Sequence, residues 1–212
     1  CSRYCEVERI MYWQSMIIIF SPLIGAITLL FKNESTNFLS SIIANSAIGV
    51  SMLLSSWLFI SYLSGHNVNE SHLIYTWYAT SGYFFEIGLL IDSLTIIMAF
   101  IVTFISFFVH MYSIAYMEGD PSFKRFFIYT NFFTFSMLFI IFSNNFLQLF
   151  IGWELVGLSS YLLIGFWYNK PSAVSANLKA FVVNRVGDIG LLLGVILILI
   201  TSNSLNYVDF FE

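Results

Sequence analysis

Apolar residues run almost without interruption along this chain, separated by short polar connections. The pattern is neither the alternation of a half-buried strand nor the one-sided stripe of a surface helix. A bilayer core about 30 Å thick takes about 20 apolar residues at about 1.5 Å rise per residue. Stretches of that length can be marked off six times, at 12–31, 39–63, 93–117, 126–143, 146–167 and 174–201. The first contains Pro22, which membrane helices tolerate, and the last is long enough to tilt. Continuous apolar runs exclude a β-barrel, whose strands alternate. The expected fold is all-α, a polytopic transmembrane helix bundle of about six spans, with residues 1–11 a polar N-terminal tail and 12–212 one membrane domain.

The connection at 64–92 is the long one. It holds His66, Asn67, Asn69, Glu70 and His72, then an aromatic stretch through Tyr83 and Phe85, and reads as an extracytoplasmic loop with strand character. Alternating spans put Lys32, Lys124, Arg125 and Lys170 on one side and Arg3 and Arg9 on the other. The positive-inside rule then sets the N-terminus outside, with the basic loops on the cytoplasmic or matrix side, and six spans return the 207–212 tail to the outer side.

Composition agrees. Only 9% of the 212 residues are charged and 58% are hydrophobic, with 24 Phe and 12 Tyr, more apolar surface than one core of this length can bury. That excludes soluble enzymes and disordered regulators. A net charge of −4 without a basic cluster excludes nucleic acid as a partner. Cys1 and Cys5 form a C-x3-C pair without histidine partners and read as incidental thiols. The mixed signs of Arg3, Glu6, Glu8 and Arg9 are unlike a secretory leader. With no C-x2-C pair, histidine pair within a span or glycine-rich phosphate loop, the sequence offers no ligand set for haem, iron–sulfur or flavin, and no metal site.

Ionisable residues inside the spans carry the candidate chemistry, because each is costly in hydrocarbon. Glu154 has eight residues of its span before it, about 12 Å of helix. Its face continues through Gly157, Leu158, Tyr161 and Gly165, small enough for close helix approach. A carboxylate there needs a partner or a proton, so a cation that moves toward it or away from it makes it a proton relay. A permanently held carboxylate that glues helices together is the other reading. Arg185 and Asp188, three apart on the sixth span, can pair. With Asn177 and Asn184 they form a polar line, beside a narrow stripe of Gly187, Gly190 and Gly194. The pair serves either helix registration or charge transfer. Lys179 lies on the opposite face, where it can snorkel. His110 reads as a hydrogen-bonded structural histidine, Asp92 as an N-cap or first-turn acid, and the tryptophans as an interfacial belt.

The string Ile151-Gly-Trp-Glu-Leu-Val-Gly-Leu-Ser-Ser-Tyr-Leu-Leu-Ile-Gly-Phe-Trp167, followed by Lys179-Ala-Phe-Val-Val-Asn-Arg-Val-Gly-Asp188, closely resembles subunit 5 of the NADH dehydrogenase of respiratory complex I. Ile91-Asp-Ser-Leu-Thr95, His110-Met-Tyr-Ser113 and Arg125-Phe-Phe-Ile-Tyr-Thr-Asn131 match in the same order, and the resemblance runs from about Met16 to the end. It implies an antiporter-like, proton-pumping membrane subunit, related to multisubunit sodium/proton antiporters. Glu154 matches the fifth-helix glutamate that the family pairs with a lysine on a later helix, and Arg185 and Asp188 match the sixth-helix charges that couple neighbouring antiporter-like units. Lys179 matches a family lysine.

The resemblance further implies that NADH, FMN, iron–sulfur clusters and ubiquinone sit in other subunits, so the chain is enzymatic only as a subunit of a proton-translocating NADH:ubiquinone reductase. Its implied partners are the other membrane subunits of the complex and lipids. The family has more than twice as many helices, so a second polypeptide completing the fold is expected, with a truncated scaffold as the alternative. Phe-, Ile-, Asn- and Tyr-rich usage resembles that of AT-rich mitochondrial genomes, which sets the expected location as the inner mitochondrial membrane, with a bacterial inner membrane as the alternative. A structural helix scaffold and a cation/proton antiporter, free-standing or as a subunit of a multisubunit sodium/proton antiporter, are the competing functions.

Overall fold

The computed structural model describes residues 2–32, 37–65, 70–80 and 83–211. Cys1 and the polar loop residues His66, Asn67 and Asn69 lie outside the described residues. The elements are α1 (Ser2–Phe31), α2 (Asn37–Leu63), β1 (Glu70–Thr80), β2 (Tyr83–Ile91), α3 (Ser93–Tyr116), α4 (Phe123–Ile141), α5 (Phe146–Ile164), α6 (Pro171–Ser202) and the short α7 (Tyr207–Phe211). Residues 2–11, expected as a polar tail, continue α1, for no glycine or proline interrupts the chain before Pro22. The strand character of the long connection becomes a two-stranded β1–β2 hairpin.

Among the described residues, five helices are long and apolar enough to cross a membrane: Arg9–Phe31, Asn37–Leu63, Ser93–Tyr116, Phe146–Ile164 and Pro171–Ser202. The sixth expected span, α4, has 19 residues but carries Lys124, Arg125 and Asn131. Its apolarity is lower because it faces protein: Phe127, Asn131, Thr134, Ser136 and Leu138 are all buried.

The chain divides into two compact units. One holds α1, α2, α3 and α4 as far as Leu138; the other holds the hairpin, α4 from Phe139, α5, α6 and α7. Polar side chains share the interior with apolar ones, and large apolar side chains cover the outside. Ser15, Ser40, Ser51, Ser55, Thr103, Asn131 and Ser136 are buried, while Leu53, Trp57, Ile60, Val183, Val186, Leu197 and Ile200 are exposed. Such a surface suits hydrocarbon, and a polar interior suits helices that must satisfy one another away from water.

In the first unit α2 presents Ser40, Ala44, Ile48, Ser51 and Ser55 on one buried face. Small residues let the backbones approach: a Cβ added at Gly25 of α1 would lie 2.7 Å from the Ala47 Cβ. Pro22 leaves the Ile18 carbonyl without its helical donor, and Ser51 Oγ supplies one from α2 at 2.8 Å. In the second unit Asn145 caps α5, its Oδ1 accepting from Gln148 N at 2.7 Å while its Nδ2 donates to the Glu86 carbonyl of β2 at 3.0 Å. Gly88 N donates to Gln148 Oε1 at 3.0 Å, so the hairpin is pinned to the start of α5. Asp92 is the N-cap of α3, accepting from Thr95 N at 2.7 Å.

Candidate functional site

Glu154 on α5 and Arg185 on α6 are joined by an ion-paired hydrogen bond from Arg185 Nη1 to Glu154 Oε2. The same nitrogen lies 3.9 Å from Asp188 Oδ2, so one guanidinium is shared unequally by two carboxylates. Asp188 is 7% exposed. Its other oxygen, Oδ1, accepts a hydrogen bond from Trp153 Nε1 at 3.0 Å.

Helix geometry explains the convergence. Arg185 and Asp188, three apart, share a face of α6, and Phe181 one turn earlier lies beneath the guanidinium, 5.0 Å from its ring centroid. Tyr161 of α5 packs on Phe181 at 5.3 Å between centroids. At the lower end of the same seam a Cβ added at Gly165 would lie 2.3 Å from Asn177 Nδ2, so the two helices close there. At Gly157 there is open space, and a crevice of about 10 Å³ is lined there by Ser160, Tyr161, Asn184, Arg185 and Asp188. That is about the room one water needs.

The three charged residues singled out from the sequence therefore come together, but with different partners. Arg185 binds Glu154 more closely than Asp188. Lys179 is exposed on α6 and, among the described residues, forms no ion pair with Glu154 or Asp188. The Gly187, Gly190 and Gly194 stripe meets nothing within 4 Å among the described residues. Trp153 is the functional neighbour that sequence reasoning missed. The available signal was its place in the middle of α5 rather than at a span end, where a belt tryptophan would sit.

Residues 77–127 match the family model described as NADH-Ubiquinone oxidoreductase (complex I), chain 5 N-terminus, and residues 143–212 match that of the NADH:quinone oxidoreductase/Mrp antiporter transmembrane region. NADH-quinone oxidoreductase subunit L of Neisseria meningitidis is 45% identical over 199 residues, covering 92% of this chain and 30% of that protein. The chain belongs to the complex I chain 5 family. NADH-ubiquinone oxidoreductase chain 5 of Chondrus crispus is 40% identical over 197 residues, covering 91% of this chain and 29% of that protein. The chloroplastic NAD(P)H-quinone oxidoreductase subunit 5 of Fagopyrum esculentum is 40% identical over 211 residues, with 95% and 27% covered. The chain thus spans less than a third of the length of these chain 5 relatives. A chain of the archaeal membrane-bound sulfane sulfur reductase shares the fold at a TM-score of 0.77 and 21% identity, covering 92% of this chain and 39% of that one. Glu154, Arg185 and Asp188 all lie in the part matched by the antiporter-like transmembrane model.

Proposed function

We propose that this chain contributes to proton translocation within an NADH:quinone oxidoreductase, with Glu154 as the proton-exchanging acid. The observation that carries the reading is the shared guanidinium. Arg185 Nη1 is bonded to Glu154 while Asp188 waits 3.9 Å away. A small displacement of Arg185 toward Asp188 removes the counter-charge from Glu154, which then takes up a proton; its return expels that proton. Asp188 is held ready by Trp153 Nε1 and needs no rearrangement to receive the cation.

Within this reading NADH, FMN, the iron–sulfur clusters and ubiquinone belong to other subunits, and the energy of their chemistry arrives here as a charge displacement. Pumping also requires the remaining two thirds of the subunit, which holds the family's later lysines, in this polypeptide or another. The membrane partners are the other complex I subunits and lipid. The inner mitochondrial membrane suits the composition and the Chondrus relative, while the bacterial and chloroplastic relatives leave the same chemistry at home in other coupling membranes. Contacts Ser106–Thr134 and His110–Phe127 run α4 antiparallel to α3, which supports α4 as a crossing of its own and puts Lys124 and Arg125 at the end of α4 that meets the last turns of α3.

Glu154→Gln in the assembled complex tests the assignment. It keeps a hydrogen-bond acceptor for Arg185 but cannot exchange a proton. Fewer protons moved per NADH oxidised, in a complex of normal size, is the expected result; normal stoichiometry sinks it. A second reading, a cation/proton antiporter component, is favoured by the Mrp wording of the second family model. Co-purification of NADH-linked activity with the chain separates the two.

A further inference from the structure

The first unit contains a buried polar seam that the Glu154 cluster does not use. On α3, Thr103, Ser106 and His110 follow at helical spacing along one face. Thr103 Oγ1 meets Ser55 Oγ of α2 at 2.6 Å, and Ser106 Oγ meets Thr134 Oγ1 of α4 at 2.7 Å. In the Ser55–Thr103 pair each hydroxyl also reaches a backbone carbonyl, Ser55 Oγ at Met52 O and Thr103 Oγ1 at Ala99 O, so the donor direction can reverse; in the other pair Ser106 Oγ donates to Thr134 Oγ1, which donates to the Thr130 carbonyl.

Among the described residues of this unit, Ser15 Oγ, Asn45 Oδ1, His110 Nε2 and Asn131 Oδ1 are buried without a hydrogen-bond partner. His110 is 2% exposed and Asn131 0%. The His110 tautomer follows from its other nitrogen. Nδ1 lies 2.8 Å from the Ser106 carbonyl, which can only accept, so Nδ1 carries the hydrogen and Nε2 presents a bare lone pair. Asn131 Nδ2 donates to the Phe127 carbonyl at 2.9 Å, which leaves Oδ1 as a second bare acceptor, 3.3 Å from where a Cβ on Gly25 of α1 would lie. The antiparallel run of α3 and α4 puts the two residues at one level, between the Ser106–Thr134 and His110–Phe127 contacts. Bare acceptors in a membrane interior are costly, and the small donor that resolves them is water.

We propose that the interior of the first unit is a water-binding, proton-transferring site, in which water held at His110 Nε2 and near Asn131 joins the Ser106–Thr134 and Ser55–Thr103 hydroxyl pairs. A proton arriving through that water is accepted at Nε2, giving the imidazolium, and returns from the same nitrogen to the water. The water rests on geometry alone; its use as a proton path rests on the proton-translocation reading.

Two measurements on the intact complex test this. An experimental density map that resolves ordered water is expected to show one within hydrogen-bond distance of His110 Nε2, and a dry site overturns the proposal whatever the complex pumps. Thr103→Val with Thr134→Val keeps side-chain shape, leaves His110 in place and removes both hydroxyls. It is expected to lower protons moved per NADH oxidised at least twofold while uncoupled oxidation is unchanged. Normal stoichiometry overturns the transfer role, and so does a His110→Phe complex that fails to assemble beside a threonine double variant that pumps normally, since the histidine is then a packing residue. Glu154→Gln measured alongside separates the failures: if it blocks pumping and the threonine variant does not, only this inference falls.

Discussion

Trp153 and Asp188 are joined across α5 and α6 by an indole N–H to carboxylate hydrogen bond of 3.0 Å, next to the residue whose carboxylate holds Arg185. The bond fixes the acid that holds the arginine less closely, so that Asp188 keeps one oxygen occupied and the other turned toward the guanidinium. Trp153→Phe removes the donor and keeps most of the ring. A hydrogen bond to a charged acceptor is worth about 1.5–3 kcal/mol. The expected outcome is proton translocation slowed about tenfold or more in an assembled complex, read as acidification rate in sealed vesicles. An unchanged rate would mean that Asp188 takes no part in holding the cation.

Arg185→Lys preserves the charge and loses the planar fork. A single ammonium on a flexible stem binds one carboxylate at a time and no longer stacks over Phe181, which now lies 5.0 Å from the guanidinium. Pumping should fall several-fold while the complex still runs at its normal size on a native gel. Arg185→Ala, by contrast, leaves Glu154 and Asp188 facing each other without a cation and should lower the amount of assembled complex as well. Equal pumping in the lysine variant and the parent protein would reduce the role of Arg185 to that of a point charge.

How much of this cluster was legible before the fold was known depends on what each residue's neighbours are. Glu154, Arg185 and Asp188 stood out because a charge inside an apolar run is costly whatever surrounds it. Their partners did not, since periodicity orders residues around one helix and is silent on which helix lies alongside. Arg185 was paired with Asp188 by the three-residue spacing, yet its closer partner is Glu154, 31 residues away in the chain. The glycines at 187, 190 and 194 have the spacing of a packing face but meet nothing within 4 Å among the described residues. Ser55, Thr103, Ser106 and Thr134 carried no signal at all, because hydroxyls barely change the hydropathy of a span. The lower apolarity of α4 became intelligible only from its burial among protein side chains.

The hairpin is held by contacts too close for a larger residue at position 88. A Cβ there would lie 2.1 Å from Asn144 Nδ2 and 2.7 Å from the His72 carbonyl. The side-chain amide can turn away and the backbone oxygen cannot. Gly88→Ala therefore strains β1 against β2 and weakens the bond from Gly88 N to Gln148, at a cost of about 1–3 kcal/mol. Limited proteolysis of the solubilised complex should cut within residues 70–91 several times faster than in the parent, with cleavage elsewhere unchanged. Protection equal to the parent's would show that the strand pair absorbs the methyl group.

Pro22 and Ser51 provide the sharpest test of the packing of α1 on α2. Proline has no N–H to give the Ile18 carbonyl, and lipid offers no donor in its place, so the hydroxyl of Ser51 at 2.8 Å is the donor that keeps the carbonyl satisfied. Ser51→Ala alone should cost about 1–3 kcal/mol, the penalty of a buried acceptor left bare. In a Pro22→Ala background the backbone N–H of residue 22 returns to the same carbonyl, and the serine hydroxyl becomes dispensable. Ser51→Ala should then cost only a few tenths of a kcal/mol by the same reasoning. Denaturation in mixed detergent micelles, measured for the parent, both single variants and the double variant, gives the coupling directly. Additive losses would mean that the serine acts by filling space rather than by repairing the helix that proline interrupts.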